Sequence, residues 1–246
     1  MRRACCWQAL AFNGPLAFAP YLYGKLAYDP ARDLQPVVLT TSPPNLIAVN
    51  VDFPASNMQE LVAVLRAHPG KYAYASVGNG SSSHLTMEYL KSLTGVSALH
   101  VPFHGGGLPA IQSIVSGDTQ LLATVPSTIS PQVAAGRLKA IAVNGTRRYA
   151  LLPNVPRVRE SGVKELRRFE SFAWNGVLVP AATPRPIVDR INAAINAALN
   201  DPLIRQRLTS AGLEPAGGTP EQFARLMADE SAKWAPVIKL TGAKLD

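Results

Sequence analysis

Cysteine is almost absent. The 246-residue chain carries two, Cys5 and Cys6, and they are adjacent. A disulfide needs its α-carbons farther apart than neighbouring residues usually place them, so no disulfide framework is expected. This says little about the compartment. Histidine is also scarce, at four residues. His68 precedes Pro69 at an expected helix end, where capping of the helix dipole is the simple reading. His100 and His104 are four apart, but Pro102 lies between them in a strand-like run, so they share no helical face as metal ligands would. No grouping of His, Cys and carboxylates suits zinc or iron. The acidic residues are isolated, and none form a pair suited to general acid–base work.

Long apolar runs are missing as well. The most apolar stretch, Val37 to Val51, is broken by Thr40, Thr41, Pro43 and Pro44 and is too short to span a bilayer. The start, Met1-Arg2-Arg3-Ala4-Cys5-Cys6-Trp7, is basic, but no sustained apolar stretch with a cleavage site follows, so the chain as written carries no convincing export signal. No internal repeat or low-complexity segment is present. Acidic residues number 16 against 24 basic ones, for a net charge of +8. That balance favours solubility and attraction of anions. The basic pairs Arg2-Arg3, Arg147-Arg148 and Arg167-Arg168 are scattered and are not interleaved with aromatics, which argues against nucleic acid.

What is present is an alternation of short apolar runs with amphipathic stretches. Strands are expected at Leu34–Leu39, Leu46–Val51, Tyr72–Ser76, Ala98–Val101, Gln120–Val125, Lys139–Asn144 and Phe169–Val179. Helices are expected at Asn57–Ala67, Ser81–Leu93, Pro109–Val115 and Ile129–Ala135. Three more follow: Pro186–Asn200, one opening at Asp201-Pro202, and one opening at the capping box Thr219-Pro220-Glu221-Gln222. Strands separated by helices of this length imply an α/β fold with parallel pairing through right-handed crossovers. The Thr41–Asn45 and Ser171–Asn175 segments are the natural chain crossings between two lobes. The division expected is residues 11–50 with 175–246 in one lobe and residues 51–174 in the other.

Two turns carry the chemistry. In Tyr74-Ala75-Ser76-Val77-Gly78-Asn79-Gly80-Ser81-Ser82-Ser83-His84 a strand ends, a glycine-rich turn follows, and a helix begins. Unpaired amides at a helix start and the helix dipole favour an anion there, and hydroxyls add donors. Plain capping by Ser81, with the glycines serving the turn alone, explains the same residues equally well. Val101-Pro102-Phe103-His104-Gly105-Gly106-Gly107 repeats the arrangement, and three consecutive glycines can form a nest of amides. A third turn, Ala123-Thr124-Val125-Pro126-Ser127-Thr128, would join them at the carboxyl edge of a parallel sheet, where open α/β folds bind ligands. The glycine spacing fits neither a P-loop nor a dinucleotide fingerprint. A hydrolase built on Ser81, Ser82 or Ser83 with His84 lacks a Gly-x-Ser-x-Gly elbow, and a His next to a Ser on one helix cannot serve it as a base.

An ordered series of motifs then resembles one family. It includes Leu22-Tyr23-Gly24-Lys25-Leu26-Ala27-Tyr28-Asp29-Pro30, Pro69-Gly70-Lys71-Tyr72-Ala73-Tyr74-Ala75-Ser76 and His100-Val101-Pro102-Phe103. It continues through Ala135-Gly136-Arg137-Leu138, Leu152-Pro153-Asn154-Val155-Pro156, Pro180-Ala181-Ala182-Thr183-Pro184 and Glu214-Pro215-Ala216-Gly217-Gly218-Thr219-Pro220-Glu221. From about Gly14 to Asp246 the chain resembles the receptors of tripartite tricarboxylate transporters, the Bug-type or TctC-like extracytoplasmic solute-binding proteins. The resemblance implies a two-lobed, periplasmic-binding-protein-like α/β fold with parallel or mixed sheets flanked by helices. It implies a receptor rather than an enzyme, without cofactor or metal. Such a receptor acts as a monomer in the periplasm, captures a small di- or tricarboxylate in an interlobe cleft, and passes it to inner-membrane permease subunits.

By the same resemblance the ligand would meet Ser76, Gly78, Asn79, Ser81, Ser82, Gly106, Gly107 and Thr124 in the second lobe. Asn13 and Gly14 lie in a first-lobe loop, and Trp174 would wall the pocket or pack. The family's usual N-terminal strand, Gly-Gly loop and helix do not precede Asn13, so the first lobe is expected to be incomplete and the chain N-terminally truncated. Thr124 stands where many members carry Asp, which favours a carboxylate without an amino group. The alternative is a truncated relic that binds nothing, and a hydrolase is the third reading.

Overall fold

A computed structural model describes residues 8–242; Cys5, Cys6 and the rest of the first seven residues lie outside the described residues. Along the chain, strand β1 (Ala9–Phe12) leads into a π-helical turn (Gly14–Phe18) and the short helix α1 (Ala19–Leu22). Then come α2 (Pro30–Asp33), β2 (Leu34–Thr41), β3 (Leu46–Asn50), α3 (Met58–Ala67), β4 (Ala73–Ser76), α4 (Ser82–Thr94), β5 (Leu99–Pro102) and α5 (Gly107–Ser116). After these follow β6 (Leu121–Thr124), α6 (Pro126–Ala134), β7 (Leu138–Val143), β8 (Asn175–Pro180), α7 (Arg185–Asn200), α8 (Pro202–Ser210) and α9 (Pro220–Thr241). The helices begin where the capping residues stand. Asn57 accepts the Glu60 amide at 2.9 Å, Asp201 accepts the amides of Leu203 and Ile204, and Thr219 and Gln222 close a reciprocal box.

The chain divides into two compact units, residues 1–42 with 173–246 and residues 43–172. These boundaries differ from the expected 50/51 and 174/175. Strand β3, expected in the first lobe, is hydrogen-bonded between β6 and β7 in the second unit.

In the first unit, β1, β8 and β2 form an antiparallel sheet with β8 in the centre. Val37, Val38, Val179 and Val188 pack with Ile191 and Ile195 of α7 on one face. Trp174 and Phe223 meet edge to face at 5.6 Å, as do Phe18 and Trp234 at 5.5 Å. Gly176 gives way to the Phe223 ring: a β-carbon there would lie 2.1 Å from it. Strand β1 alternates half-buried and exposed residues, leaving Leu10 (71%) and Phe12 (54%) open to solvent.

In the second unit five strands run in the order β5-β4-β6-β3-β7. Strands β5, β4 and β6 pair in parallel, as expected. Strand β3 is antiparallel to both neighbours, so the sheet is mixed. The cause is where the chain enters: Pro44-Asn45 delivers β3 at the edge where its neighbours end. Both faces of β3 are covered, which explains its unbroken apolar run. Ile47 and Val49 face the core built by α3 and α4 with Leu61, Leu65 and Leu90. Leu46 and Ala48 face the opposite core with Ile111, Ile114 and Ile129.

The strand expected at Phe169–Val179 is shorter, since only Asn175–Pro180 is extended and paired. Its apolar residues serve two cores, Phe169 in the second unit and Trp174 in the first. Between them Ser171 is bound to the second unit, donating its amide to Asn144 and accepting that of Asn45.

Candidate functional site

Parallel register brings three turns to one edge. Ser76 aligns with Pro102, and Ala75 aligns with Leu122, so the turns after β4, β5 and β6 leave the sheet side by side. The second and third touch: a β-carbon on Gly107 would lie 2.9 Å from the Thr128 methyl group.

The first turn is held by its own hydroxyls. Ser81 caps α4, accepting the His84 amide at 3.3 Å while donating to the Gly78 carbonyl at 2.6 Å. Ser83 accepts the Val77 amide at 2.9 Å, and Ser76 accepts the Gly78 amide at 3.2 Å. Gly78 has φ +120°, a conformation only glycine takes without strain. Helix geometry gives the amides of Ser82 and Ser83 no intrahelical acceptor, and no hydrogen bond from them or from the Asn79 amide is found among the described residues. Of these residues Asn79 is exposed, Ser82 half-buried and Ser83 buried.

The second turn is made of backbone alone. His104, Gly105 and Gly106 are exposed, and Gly106 caps α5 at φ +93°, ψ −159° with no side-chain hydrogen bond. Among the described residues the amides of Gly105, Gly106 and Gly107 have no acceptor. In the third turn Thr124 is buried at the end of β6, beside Leu46, and Ser127 is exposed in the first turn of α6. The edge therefore offers neutral donors, amides and hydroxyls, converging from three helix starts. That suits an oxyanion bound by hydrogen bonds rather than by an ion pair.

Not all of the expected contacts sit at the surface. Ser76 has 0% exposure and holds the turn from beneath. In the first unit Asn13 is buried where the π-helical turn starts, and Gly14 fits against the Phe12 ring. Trp174 is also at 0% exposure and packs on Phe223.

Beneath the first turn lies a cluster that sequence reasoning missed. His84 and His100 stack with ring centroids 3.9 Å apart and planes at 7°, and the Tyr74 ring lies 4.8 Å beyond His100. His84 Nδ1 accepts the Gly80 amide at 3.1 Å. His100 Nε2 pairs with Ser76 Oγ at 2.6 Å. Tyr74 donates to Glu88 at 2.5 Å, and Lys91 closes on the same carboxylate at 2.5 Å. Burial holds the His100 pKa down at about 4, helped by repulsion from His84. Burial also pushes His84 down, against the pull of Glu88. Burial alone would raise Glu88, but hydrogen bonds from Lys91 and Tyr74 outweigh it and keep the carboxyl below its usual range. Burial and the bond to Glu88 raise the Tyr74 phenol.

The Ser76–His100 pair has the separation of a nucleophile and its base. Ser76 is sealed from solvent, however, and no carboxylate hydrogen bond to His100 is found among the described residues. The pair is structural. The signal for it was period two: Tyr74 and Ser76 share a face of β4, and Tyr74 aligns with His100 across the ladder. That register is not written in either segment. Among the described residues no group of three or more metal-ligating side chains occurs, and no helix is long and apolar enough to cross a membrane. A cavity of about 440 Å³ in the first unit, lined by Leu16, Tyr21, Leu34, Met227, Ala228 and Ser231, is mostly apolar and bears no charged side chain.

Residues 8–243 match the model of the tripartite tricarboxylate transporter family receptor. A Pseudomonas sp. (strain P51) protein described as a UPF0065 protein in the tcbD-tcbE intergenic region is 34% identical over 218 residues, 89% of this chain. The chain spans 64% of that relative's length. Two solved structures are similar throughout. Rpa4515 of Rhodopseudomonas palustris with adipate gives a TM-score of 0.85 at 30% identity, over 95% of this chain and 77% of that one. MatC (Rpa3494) of the same organism with bound malate gives 0.81 at 31% identity, over 94% and 78%. The family is one of substrate-binding receptors and not of enzymes, and with its matching residues, mixed α/β sheets and oxyanion-suited turns this chain belongs to the tripartite tricarboxylate transporter receptors.

Proposed function

We propose that the chain is a solute-binding receptor for a small organic acid, a di- or tricarboxylate, which it delivers to a membrane permease of the tripartite type in the periplasm. The observation that supports this most is the convergence of acceptor-free amides at Asn79, Ser82, Ser83, Gly105, Gly106 and Gly107 on one sheet edge. A carboxylate oxygen accepts two or more hydrogen bonds, and helix starts stabilise its charge. The contacts assigned are Gly78, Asn79, Ser81, Ser82, Gly106 and Gly107. Ser76 shapes the turn, and Thr124 is a neutral neighbour. Thr124 offers no negative charge to an ammonium group, which supports a plain organic acid over an amino acid. The two structural neighbours carry adipate and malate, both dicarboxylates, which supports the same class.

A thermal-shift panel of mono-, di- and tricarboxylates and acidic amino acids tests the reading. A ligand that binds only the folded chain adds roughly 2.7 kcal/mol of stability at a hundredfold excess over its Kd. The expected result is a raised Tm with dicarboxylates or tricarboxylates. A cooperative melt that no acid moves overturns the proposal and leaves the non-binding alternative.

A further inference from the structure

We propose that His84 and His100 are a positioning pair that holds the first anion turn in its binding shape only while both imidazoles are neutral, so that acidification opens the turn and frees the carboxylate. The inference rests on the receptor reading above and adds a proton-linked release to the same site.

Hydrogen-bond polarity carries the argument. His84 Nδ1 is the acceptor for the Gly80 amide, so the neutral ring must carry its proton on Nε2. A second proton has only Nδ1 to occupy. There it would turn an acceptor into a donor pointing at another donor, and the Gly80 amide would have to leave. Gly80 sits in the chain between the acceptor-free amides of Asn79 and Ser82, so its displacement moves the donors assigned to the ligand. His100 acts from the neighbouring strand. Its Nε2 meets Ser76 Oγ, and the same oxygen takes the Gly78 amide. Protonating His100 fixes a donor on Ser76 and leaves that hydroxyl's proton to the Gly78 carbonyl at 3.2 Å, so His100 acts on the turn through its charge beside His84.

The stack ties the two events together. Rings 3.9 Å apart repel strongly once both are charged, and their surroundings supply little to offset a first charge. From β4 the neighbour is Tyr74, a neutral phenol stacked on both rings. On α4 itself Glu88 and Lys91 face the pair, and they neutralise each other at 2.5 Å. Strand β6, which also packs on α4, carries no titratable side chain. The short helical turn Lys164–Leu166 packs on α4 too, and its Glu165 is paired with Arg66. The burial that lowers both histidines acts in the same direction. An ordinary capping histidine would lie at the surface and titrate near neutrality; these two lie under the loop that the ligand needs.

Nitrogen-15 NMR of the ligand-free chain tests this directly, following both histidine rings and the Gly78 and Gly80 amides from pH 7.5 to 3.5. The Gly80 amide should shift with the ring titration. Affinity for malate or adipate, measured by calorimetry and referred to the concentration of the dianion, should fall as the rings titrate. His84→Asn places an amide oxygen at the acceptor position without a titratable group, and it should keep the Gly80 amide steady and hold affinity for the dianion within twofold across the interval. A Gly80 amide that stays fixed while the rings titrate overturns the proposal, as does an unchanged pH loss in H84N. If H84N does not fold, His84→Gln removes the same charge and should let His100 titrate closer to its ordinary value, since His84 is what repels it; an unmoved His100 overturns the coupling. If neither acid binds at pH 7.5, the release of these ligands is refuted, while the ligand-free amide titration still decides whether the histidines hold the turn.

Discussion

His84 and His100 lie face to face at 3.9 Å, one in the first turn of α4 and the other on β5, and each is hydrogen-bonded to the glycine-rich turn above them, His84 to Gly80 and His100 to Ser76. The contact joins the two elements whose ends present the expected anion site. Burial thus serves two purposes here: it completes the core under α4, and it keeps two titratable rings neutral where the turn requires neutrality.

Stability should depend on pH with a definite sign. The His100 pKa is about 4 in the folded chain, against an ordinary 6.5. Between these values the unfolded chain binds more protons, so stability is complete above about 6.5 and falls as pH drops toward 4, then levels. Allowing for screening at a partly exposed ring, the chain should be about 1–2 kcal/mol less stable at pH 4.5 than at pH 7. Urea midpoints at both pH values check this, and His100→Gln should flatten the difference.

Gly106→Ala should damage the second turn. At φ +93°, ψ −159° this residue occupies backbone space that other residues enter only with strain. The cost should be about 1–3 kcal/mol, with loss of the amide geometry at the start of α5. Denaturant unfolding gives the first quantity and carboxylate calorimetry the second, where affinity should fall at least tenfold.

Gly176→Ala should be destabilising for a different reason. Its new methyl would meet the Phe223 ring at 2.1 Å in the centre of the three-stranded sheet. Overpacking of this kind costs about 1–3 kcal/mol. Chemical denaturation checks it, and the smaller ring-free variant Phe223→Leu should tolerate the same alanine better than the wild-type background does.

Asn45 should prove costly to replace. It is fully buried and donates to Thr86 at 3.0 Å and to Ser171 at 3.1 Å, tying α4 to both ends of the segment that forms the second unit. Asn45→Leu removes those bonds and leaves the two hydroxyls to each other, at about 1–3 kcal/mol. A combined Asn45→Leu, Thr86→Val, Ser171→Ala variant should recover part of the loss, because no buried donor is then left without a partner.

Much of the architecture was readable from spacing. The caps Asn57, Ser81, Asp201 and Thr219 place four helices, and the apolar runs place strands β2 to β7 within a residue or two, while β1 went unread and β8 begins six residues after its expected start. The turn after β4 and the three glycines after β5 were legible because strand-turn-helix order and glycine content are local properties. Pairing partners are not local. The reversed direction of β3 depends on where the chain enters the second unit, and nothing between Leu46 and Asn50 encodes it. The apolar residues Phe169 and Trp174 look like one strand because the sequence does not say that they pack into different units. The histidine stack is the clearest case. His84 was visible beside three serines and His100 beside His104, but their meeting depends on the register of β4 with β5 and on the packing of α4. Ser76, legible as a site residue, supports the turn from below, since a period-two position at the end of a buried strand points into the core.

Chemical-shift mapping of a titration with malate or adipate tests the central claim most directly. Perturbations should concentrate on the amides of Gly78–Ser83 and Gly105–Gly107 and saturate with a single Kd. An absence of shifts at saturating acid, or shifts confined to the apolar cavity near Leu16 and Met227 in the first unit, would contradict it.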